Sequence, residues 1–279
     1  MHIFYINLRT RPDRREFMER QAERLGLAME RVEAITPADL SALDMAKASD
    51  AMSAGEVACS YSHRAVWRLM VEQGLPFALI LEDDCALADR TPDLLDDPAL
   101  LSGIDMLQLE THPSIGLLGR PTPTRATGIS RRRMFSSCLG TCGYVITAEM
   151  ARRCIDHPDL PTMDLGKFLF SREGPGFLYR HRIFQAFPAV ATPVGELVPG
   201  SDLKRSDITP TRKKKKASRA GSIRRRTRVE KAAHSLRHAA LAVQSFGLAQ
   251  LVAARYVAIP FAGTSHLAET LPADLAPPR

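Results

Sequence analysis

The sequence has few cysteines and a single tryptophan, and it lacks the patterns that mark several protein classes. Its 5 cysteines form no C-x-x-C pair and show no spacing typical of a disulfide framework. Because such frameworks belong to small secreted domains, we expect reduced, mostly buried thiols in a cytosolic protein. The first residues run directly into an apolar segment without a preceding basic region, so we also expect no signal peptide.

The overall composition is that of an ordinary soluble globular protein. Hydrophobic residues make up 45% and charged residues 25% of the 279 residues. This balance excludes a fully disordered chain and a fibrous protein, and the length suffices to bury a sizeable core. We therefore expect one large domain, or one medium domain with an appendage.

Charge is distributed unevenly along the chain. Residues 204–279 contain 16 Lys and Arg against 4 Asp and Glu, whereas residues 1–203 contain 22 and 27. The net charge of +7 thus combines a mildly acidic body with a strongly basic C-terminal part. Two basic clusters, at 212–216 and 224–226, stand among small residues that cannot form a core. We predict a globular domain at 1–203, a basic disordered linker at 204–228 and an amphipathic helical tail at 229–279.

The predicted tail has apolar residues at helical spacing. They are Val229, Ala233, Leu236, Ala240 and Val243. The segment 239–263 is only weakly apolar, and Gln244, Gln250 and Arg255 interrupt it. A central Arg costs ~2.5–3.5 kcal/mol on the insertion scale, which disfavours a membrane-spanning helix. We favour an amphipathic helix on a membrane surface, with a solvated or packed helix as the alternative.

Strand-like and helix-like segments alternate along the first 190 residues. An apolar run at 2–8 precedes a charged helix that begins near Arg11 and ends at Gly26. Ser53 and Glu56 form a capping box, which predicts the start of a longer helix. Further strands are predicted at 32–36, 77–81, 104–109, 142–146 and 184–191, with a helix at 148–155. This alternation predicts an α/β domain with a mostly parallel sheet.

The stretch 110–135 has a different composition, rich in Pro, Thr, Gly and Arg. We predict that it forms a long, mobile loop over a site. Its three consecutive arginines, 131–133, can grip an anionic acceptor or simply belong to a solvated loop.

Three acids, Glu82, Asp83 and Asp84, directly follow the most apolar strand candidate. Consecutive carboxylates at a buried strand end repel one another unless a cation or basic groups neutralise them. Side chains alternate along a strand, so Glu82 and Asp84 can share one site while Asp83 serves another role. Carboxylate oxygens suit Mg²⁺ or Mn²⁺ held together with a substrate diphosphate. The alternative is a solvated turn at the end of the strand.

His63 lies on a helix that is otherwise apolar, between Ser62 and Arg64. This polar patch fits a contact with a phosphate or a sugar, and a structural histidine is the alternative. Trp67, one turn further along the same helix, is interpreted as a core residue.

Four segments together resemble glycosyltransferase family 25, the lipooligosaccharide galactosyltransferase-like enzymes. The first joins Ile6-Asn7-Leu8 to the charged residues Arg11, Asp13, Arg14 and Arg15. The others are the segments 55–67 (Gly-Glu…Cys…Ser-His), 79–84 (the acidic motif) and 140–146 (Gly…Tyr). The resemblance covers about residues 1–190, and the four segments stand in the family's order and spacing.

The resemblance implies a GT-A-like fold, a single Rossmann-type domain that transfers a hexose from UDP-galactose or UDP-glucose with inversion. The implied acceptor is of the lipopolysaccharide or lipooligosaccharide core type. Glu82, Asp83 and Asp84 would correspond to the motif that binds Mn²⁺ or Mg²⁺ and the diphosphate. The remaining donor-binding positions would be Asn7, Arg11 and Arg14 near the nucleotide, and Glu56, Ser62 and His63 in the donor pocket.

Inversion at the anomeric carbon needs one displacement and a general base for the acceptor hydroxyl. Asp164 is our first candidate for this base, and Glu110, at the end of another predicted strand, is the second. For Asp164 the alternative is a helix N-cap that follows Pro161 and Thr162.

Three functions compete at this point. The first is a transferase that acts on a glycolipid at the cytoplasmic face of the membrane, with its basic tail on anionic lipid. The second is a nucleic-acid-binding protein, but residues 204–228 contain no aromatic residue to stack on bases, so we expect no specific nucleic acid. The third is a scaffold without catalysis, against which the intact acidic motif argues.

Overall fold

The computed structural model describes residues 1–50, 52–112, 114–198 and 253–271, together with seven single residues between 236 and 250. The predicted basic linker at 204–228 lies outside the described residues, as does about half of the predicted helical tail. The division of the chain after residue 203 therefore stays a prediction.

The described residues form strands and helices that alternate for most of their length. The strands are β1 His2–Asn7, β2 Glu30–Glu33, β3 Phe77–Glu82, β4 Cys85–Leu87, β5 Met106–Gln108, β6 Ile115–Pro123, β7 Ser130–Met134, β8 Gly143–Thr147, β9 Ile183–Phe187, β10 Ala191–Pro193 and β11 Arg255–Ala258. The helices are α1 Pro12–Leu25, α2 Ala42–Lys47, α3 Ala54–Glu72, α4 Thr91–Leu95, α5 Ala148–Ile155, α6 Leu165–Phe170, α7 Phe177–Arg180, α8 Val194–Leu197 and, near the end, α9 Leu267–Thr270. The α/β prediction is confirmed.

One large sheet has the strand order β11-β6-β7-β9-β5-β8-β3-β1-β2, and β4 pairs with β10 in a separate two-stranded sheet. β1 runs parallel to β2 and β3, and β5 runs parallel to β9. The other pairings of the large sheet are antiparallel. The sheet is thus mixed, and the predicted parallel arrangement holds only in part. β8 inserts between β3 and β5, and this insertion reverses the direction in the middle of the sheet.

The strand directions bring three carboxyl ends to the same end of the sheet. β1 and β3 are parallel, with Ile6 in register with Glu82. β8 is antiparallel to both β3 and β5, so β5 points the same way as β3. The residues that follow β1, β3 and β5 therefore lie close together, at the end of the sheet where α/β proteins commonly bind ligands.

Both faces of the central strands are buried. Along β3, Ala78 and Ile80 pack into the core on one face, and Leu79 and Leu81 into the core on the other. Helices α3, α5, α6 and α7 contribute to the first of these cores, whereas α1 and α4 contribute to the second. A strand buried on both faces reads as a continuous apolar run, which explains why the sequence of β3 is so informative.

Local signals in the sequence set the limits of the helices that flank the site. Pro12 opens α1, and Gly26 ends it in the left-handed conformation at φ +63°, where a side chain would be strained. At α3, the Ser53 hydroxyl accepts the Glu56 amide, and the Glu56 carboxylate accepts the Ser53 amide at 2.8 Å. The predicted capping box is confirmed, and it fixes where the helix that carries Ser62 and His63 begins.

Two expectations about irregular regions are wrong. The stretch 110–135 contains the antiparallel strands β6 and β7 instead of being one long loop. Arg131 and Arg133 of β7 donate hydrogen bonds to backbone carbonyls, and Arg132 stacks on the Phe187 ring at 4.0 Å. These arginines therefore hold the sheet together rather than lying in a solvated loop.

The chain also returns to the domain after the basic segment. Residues 255–258, which we predicted as part of a helical tail, form β11 and extend the large sheet beside β6. Further along, Asp89 accepts hydrogen bonds from the Ser265 amide at 2.9 Å and lies 2.7 Å from His266 Nδ1. The helical spacing of the tail ends at Val243, before this strand, and the pairing with β6 determines the structure of residues 255–258.

Two further sequence expectations concern the membrane and the cysteines. Within the part of the chain that the structure describes, no helix has both the length and the apolar character needed to cross a bilayer. All five cysteines are free thiols; four are buried, and Cys59 is half-buried. The prediction of reduced, mostly buried thiols is confirmed.

Candidate functional site

Asp83 lies at the centre of a buried polar cluster behind the acidic strand end. Its carboxylate accepts hydrogen bonds from Asn7 Nδ2 at 2.8 Å and from Arg14 Nη1 at 2.6 Å. Asn7 is itself held by Arg31, whose Nε donates to Asn7 Oδ1 at 2.9 Å. Burial raises the pKa of Asp83 more than these partners lower it. Asp83 thus has the separate role that strand alternation predicted, and it ties β3 to β1 and α1.

Glu82 points to the other side of the strand end and joins β3 to its neighbours. Its carboxylate accepts the Thr141 hydroxyl at 2.5 Å and lies 3.5 Å from His63 Nε2. Burial raises the pKa of Glu82, but His63, Thr141 and Arg14 together outweigh burial and lower it overall. Glu82 therefore favours the ionised form, and these neighbours partly offset its negative charge.

Asp84 is the least neutralised of the three acids. The nearest cationic group is Arg14 Nη2, 3.5 Å from Asp84 Oδ2. Burial raises the pKa of Asp84 to about 7, and the nearby charges of Glu82, Asp83 and Glu110 add to this effect. One guanidinium thus serves several carboxylates, and the site carries excess negative charge that a cation would offset.

Two clefts open beside these acids. The first has about 720 Å³ of empty space, part of it open to solvent, between the ends of β1 and β2 and the start of α3. It is lined by three of the six residues predicted to bind the donor, namely Arg14, Ser62 and His63. Ser62 is largely committed to structure, because its hydroxyl donates to the Ala58 carbonyl at 2.9 Å and accepts the Ile35 amide at 2.8 Å.

The other predicted donor-binding residues lie elsewhere. Asn7 is almost fully buried behind Asp83 and supports the site from below. Arg11 binds Asp13, with Nη2 2.7 Å from Oδ2. Glu56 lines the second cleft, and its carboxylate caps α3.

The second cleft has about 1000 Å³ of empty space, part of it open to solvent, on the other side of the acids. Carboxylates dominate its polar lining, with one histidine among them: Glu56, Glu82, Asp84, Glu110, His112 and Asp164. Three residues, Cys59, Glu82 and Asp84, line both clefts. The acidic strand end therefore stands at the junction of two cavities, and it can contact a ligand in either.

Both candidates for the general base line this second cleft, and each has a structural partner. Asp164 Oδ1 accepts the Gly166 amide at 3.1 Å, so Asp164 is the N-cap of α6 that the alternative interpretation described. Glu110 is 3% exposed, and its Oε2 accepts the Cys142 amide at 2.7 Å. The proximity of Glu110 and Asp164 to the acidic motif agrees with the prediction, although their roles in catalysis stay predictions.

A glycine makes room for Glu110. A methyl group on Gly140 would lie 2.4 Å from Glu110 Oε1, far inside the closest contact that real side chains make. The backbone of the segment before β8 therefore folds directly over the Glu110 carboxylate, and any side chain at position 140 would displace that carboxylate.

A hydrogen-bonded chain of three rings supports His63. Trp67 Nε1 donates to the Tyr144 hydroxyl at 3.0 Å, and this hydroxyl lies 2.8 Å from His63 Nδ1. The Tyr144 oxygen accepts from Trp67, and in the tautomer with the His63 proton on Nε2, the Tyr144 hydroxyl donates to His63 Nδ1. His63 Nε2 is buried, and it has no hydrogen-bond partner among the described residues. The chain thus aims an N–H group at Glu82 and the junction of the clefts.

The residues at this junction fit a divalent cation. Glu82 and Asp84 provide the hard oxygen ligands that Mg²⁺ and Mn²⁺ prefer, and the excess charge on Asp84 would be offset by such an ion. Asp83, with both carboxylate oxygens hydrogen-bonded, fits a positioning role behind them. A second set, Cys59, His63 and Glu82, also brings one ligand atom each within 4.8 Å of one another.

Sequence reasoning missed three residues of this site. Thr141 and Tyr144 carry no separate signal, although both fall in the Gly…Tyr segment that resembles the family. His112 carries no signal either, because a single histidine four residues after the short strand β5 shows no pattern. The hydrogen bonds of Thr141 and Tyr144 join the segment around β8 to β3 and α3, which only the tertiary structure brings together, whereas His112 contacts Glu110 two residues before it.

Fold and site together define an α/β protein in which buried carboxylates separate two ligand-sized clefts. The chain belongs to glycosyltransferase family 25. The model of that family, described as glycosyltransferase family 25 (LPS biosynthesis protein), matches residues 1–159, which is more than half of the chain. The resemblance inferred from the four sequence segments is confirmed.

Relatives of known name agree with this membership. A glycosyltransferase 25 family member of Drosophila melanogaster is 37% identical over 95 residues, which are 29% of this chain and 16% of the fly protein. The lipooligosaccharide biosynthesis protein lic2B of Haemophilus influenzae is 25% identical, covering 77% of this chain and 84% of its own. The lacto-N-neotetraose biosynthesis glycosyltransferase LgtB of Neisseria meningitidis serogroup B is 27% identical, covering 62% and 70%. Since the chain spans only a small part of the fly protein, that similarity assigns no substrate.

Proposed function

We propose that the protein transfers a hexose, galactose or glucose, from a UDP-sugar to a hydroxyl of a lipopolysaccharide or lipooligosaccharide core-type acceptor, with inversion at the anomeric carbon. The observation that carries this proposal is the position of Glu82 and Asp84 at the junction of two clefts. A group transfer needs a donor and an acceptor on either side of one reacting centre. Family membership and the similarity to lic2B, a lipooligosaccharide biosynthesis protein, support the sugar chemistry and the acceptor class.

The UDP-sugar is assigned to the first cleft. Arg14 and the His63 Nε2–H group lie in its lining, beside Glu82 and Asp84. The leaving diphosphate gains negative charge as the glycosidic bond breaks, and fixed donors stabilise that charge. Mn²⁺ or Mg²⁺, held by Glu82 and Asp84, would neutralise the diphosphate when bound.

The acceptor is assigned to the second cleft. Its hydroxyl oxygen forms a new bond to the anomeric carbon while the bond to the diphosphate breaks, and the diphosphate leaves with the electron pair. The acceptor proton must pass to a base in the same cleft. Asp164 and Glu110, the two candidates from the sequence, both lie in the lining of this cleft.

The basic segment supports a further proposal about location. Residues 204–228 lie between two parts of the chain that belong to the domain, α8 and β11. We propose that this segment holds the enzyme at anionic lipid on the cytoplasmic face of the membrane, with ~1 kcal/mol for each Lys or Arg near the surface. The measurement is co-sedimentation of the full chain with phosphatidylcholine vesicles that contain or lack phosphatidylglycerol. Binding that does not depend on the anionic lipid contradicts this location.

Incubation with a panel of UDP-hexoses, Mn²⁺ and delipidated lipooligosaccharide cores tests the transfer itself. NMR of the product identifies the sugar and the configuration of the new bond. We expect one UDP-hexose to be used, with the anomeric configuration reversed relative to the donor. Retained configuration contradicts the inverting mechanism, and the absence of product and of released UDP with every donor contradicts the transferase.

A further inference from the structure

The second cleft contains a histidine–carboxylate pair that the sequence did not reveal. His112 Nε2 lies 2.7 Å from Glu110 Oε1. The two partners differ sharply in exposure, because the His112 side chain is 42% exposed and that of Glu110 only 2%. The imidazole therefore stands in the open cleft, and the carboxylate lies behind it.

Glu110 is poorly placed to reach an acceptor directly. Its Oε2 accepts the Cys142 amide at 2.7 Å, and its Oε1 faces His112. The close approach of Gly140 covers the same carboxylate from the other side. A group enclosed in this way can orient a neighbour, but it cannot meet a substrate hydroxyl without rearrangement.

The contact with Glu110 also decides which nitrogen of His112 is basic. His112 Nε2 is the ring nitrogen beside the Glu110 carboxylate, so a proton on Nε2 is the one that this contact stabilises. In the neutral imidazole, Nδ1 then has the free lone pair. Nδ1 lies 3.7 Å from Glu196 Oε1, and Glu196 is 38% exposed. A proton that arrives at Nδ1 is therefore stabilised by a carboxylate on each side of the ring.

The backbone around His112 is held firmly. The Thr111 amide donates to the Ala191 carbonyl at 3.0 Å, and the Thr192 hydroxyl donates to the Thr111 carbonyl at 2.8 Å. The Thr111 hydroxyl lies within hydrogen-bond distance of Ile259, in the segment that returns to the domain. Catalytic groups act best when neighbouring contacts fix their position.

We propose that His112 is the general base of the reaction and that Glu110 is the residue that positions it, an inference that rests on the proposed function. The acceptor oxygen forms its bond to the anomeric carbon as the acceptor proton moves to His112 Nδ1. The bond between the anomeric carbon and the diphosphate oxygen breaks, and the diphosphate takes its electron pair. His112 later returns the proton to solvent. This assignment replaces the direct base roles of Asp164 and Glu110.

The proposal predicts a distinct dependence on pH. His112 faces Glu110 and Glu196, and the wider cleft adds further acids from other elements, namely Glu56, Glu82, Asp84 and Asp164. The hydrogen bond to Glu110 raises the pKa of His112 above its usual value. A base acts when it is deprotonated, so the rate of transfer should fall as the pH drops through that raised pKa.

The first test compares His112→Gln with His2→Gln. His2 is a suitable control because it forms the same kind of pair, with Nε2 2.7 Å from Glu30 Oε2, outside both clefts. We expect kcat of H112Q to fall by ~10²-fold or more, with UDP-hexose affinity within about twofold of the wild type. With UDP-hexose and Mn²⁺ at saturation, which keeps Asp84 ionised, the acid limb of the kcat profile should disappear in H112Q and persist in H2Q.

The second test asks whether Glu110 acts through His112. An NMR titration identifies the His112 signals as those absent in H112Q, and it follows them in Glu110→Gln. We expect a lower His112 pKa in E110Q, together with a reduced kcat. A kcat of H112Q within about threefold of the wild type, with an unchanged acid limb, overturns the assignment while leaving the transferase intact. If the wild-type chain transfers hexose neither to the acceptor nor to water, the proposed function is wrong, and this assignment is wrong with it.

Discussion

Arg14 Nη1 lies 2.6 Å from Asp83 Oδ1, and both side chains are less than a tenth exposed. The same guanidinium reaches Asp84 through Nη2 at 3.5 Å. A single buried cation from α1 thus holds the turn after β3 and partly neutralises the acid that faces the clefts. The rigidity and the excess charge of the site both follow from this arrangement.

Removing the cation should destabilise the fold strongly. Arg14→Met leaves Asp83 buried without its ion-pair partner, and we expect a loss of about 3–5 kcal/mol in the free energy of unfolding. Urea denaturation measures it, with Arg15→Met as the control because Arg15 pairs with Glu19 at the surface. The double variant R14M/D83N should recover part of the loss. Equal stability of R14M and R15M would show that the buried pair does not hold the strand end.

The hydroxyl of Tyr144 should matter although it touches neither cleft. Tyr144→Phe leaves Trp67 Nε1 and His63 Nδ1 without their shared partner, and we expect a loss of about 1–3 kcal/mol in the free energy of unfolding. Tyr256→Phe is the matched control, since Tyr256 is 67% exposed. Chemical denaturation of the two variants gives the comparison. A Y144F chain as stable as Y256F argues against the chain of rings that orients His63.

Gly140 should tolerate no side chain. In Gly140→Ala the new methyl group collides with the Glu110 carboxylate, and relief of that contact costs about 1–3 kcal/mol. The shift of Glu110 should also lower kcat, because His112 loses its fixed orientation. Gly247→Ala serves as the control, because its added methyl group meets no atom within 4 Å. If G140A and G247A have the same free energy of unfolding and the same kcat, the close packing over Glu110 is contradicted.

The sequence predicts the first half of the fold well because local signals dominate there. Pro12, Gly26 and the Ser53–Glu56 capping box act within a few residues, and each marks a helix limit that the structure confirms. The apolar run before Glu82 identifies β3 because a strand buried on both faces has no polar positions. The acidic motif is recognisable for the same reason, because three consecutive carboxylates directly follow an entirely apolar run.

Long-range pairing explains what the sequence could not reveal. β7 contains Arg131, Arg132 and Arg133, which have little strand preference, and it forms because β9 and β6 pair with it. β11 likewise exists through its pairing with β6 across the basic segment. His112 acquires its role only from Glu110 and the open second cleft, and no local pattern marks that combination.

Asp84 and Glu82 are proposed to bind a divalent cation together with a UDP-sugar. Removing the Asp84 charge should abolish the effect of the metal without harming the fold, because it also relieves repulsion from the neighbouring acids. Asp84→Asn is therefore expected to unfold at the same or a higher denaturant concentration than the wild type in the absence of metal. Asp96→Asn, at an exposed position after α4, is the matched control.

Isothermal calorimetry with UDP-galactose and UDP-glucose, with and without Mn²⁺, tests this claim most directly in the wild type, D84N and D96N. We expect the wild type and D96N to bind one of the two donors at least about tenfold more tightly with Mn²⁺, and D84N to lose that difference. Binding that is equally tight without the metal, or a metal effect that survives in D84N, would contradict the account.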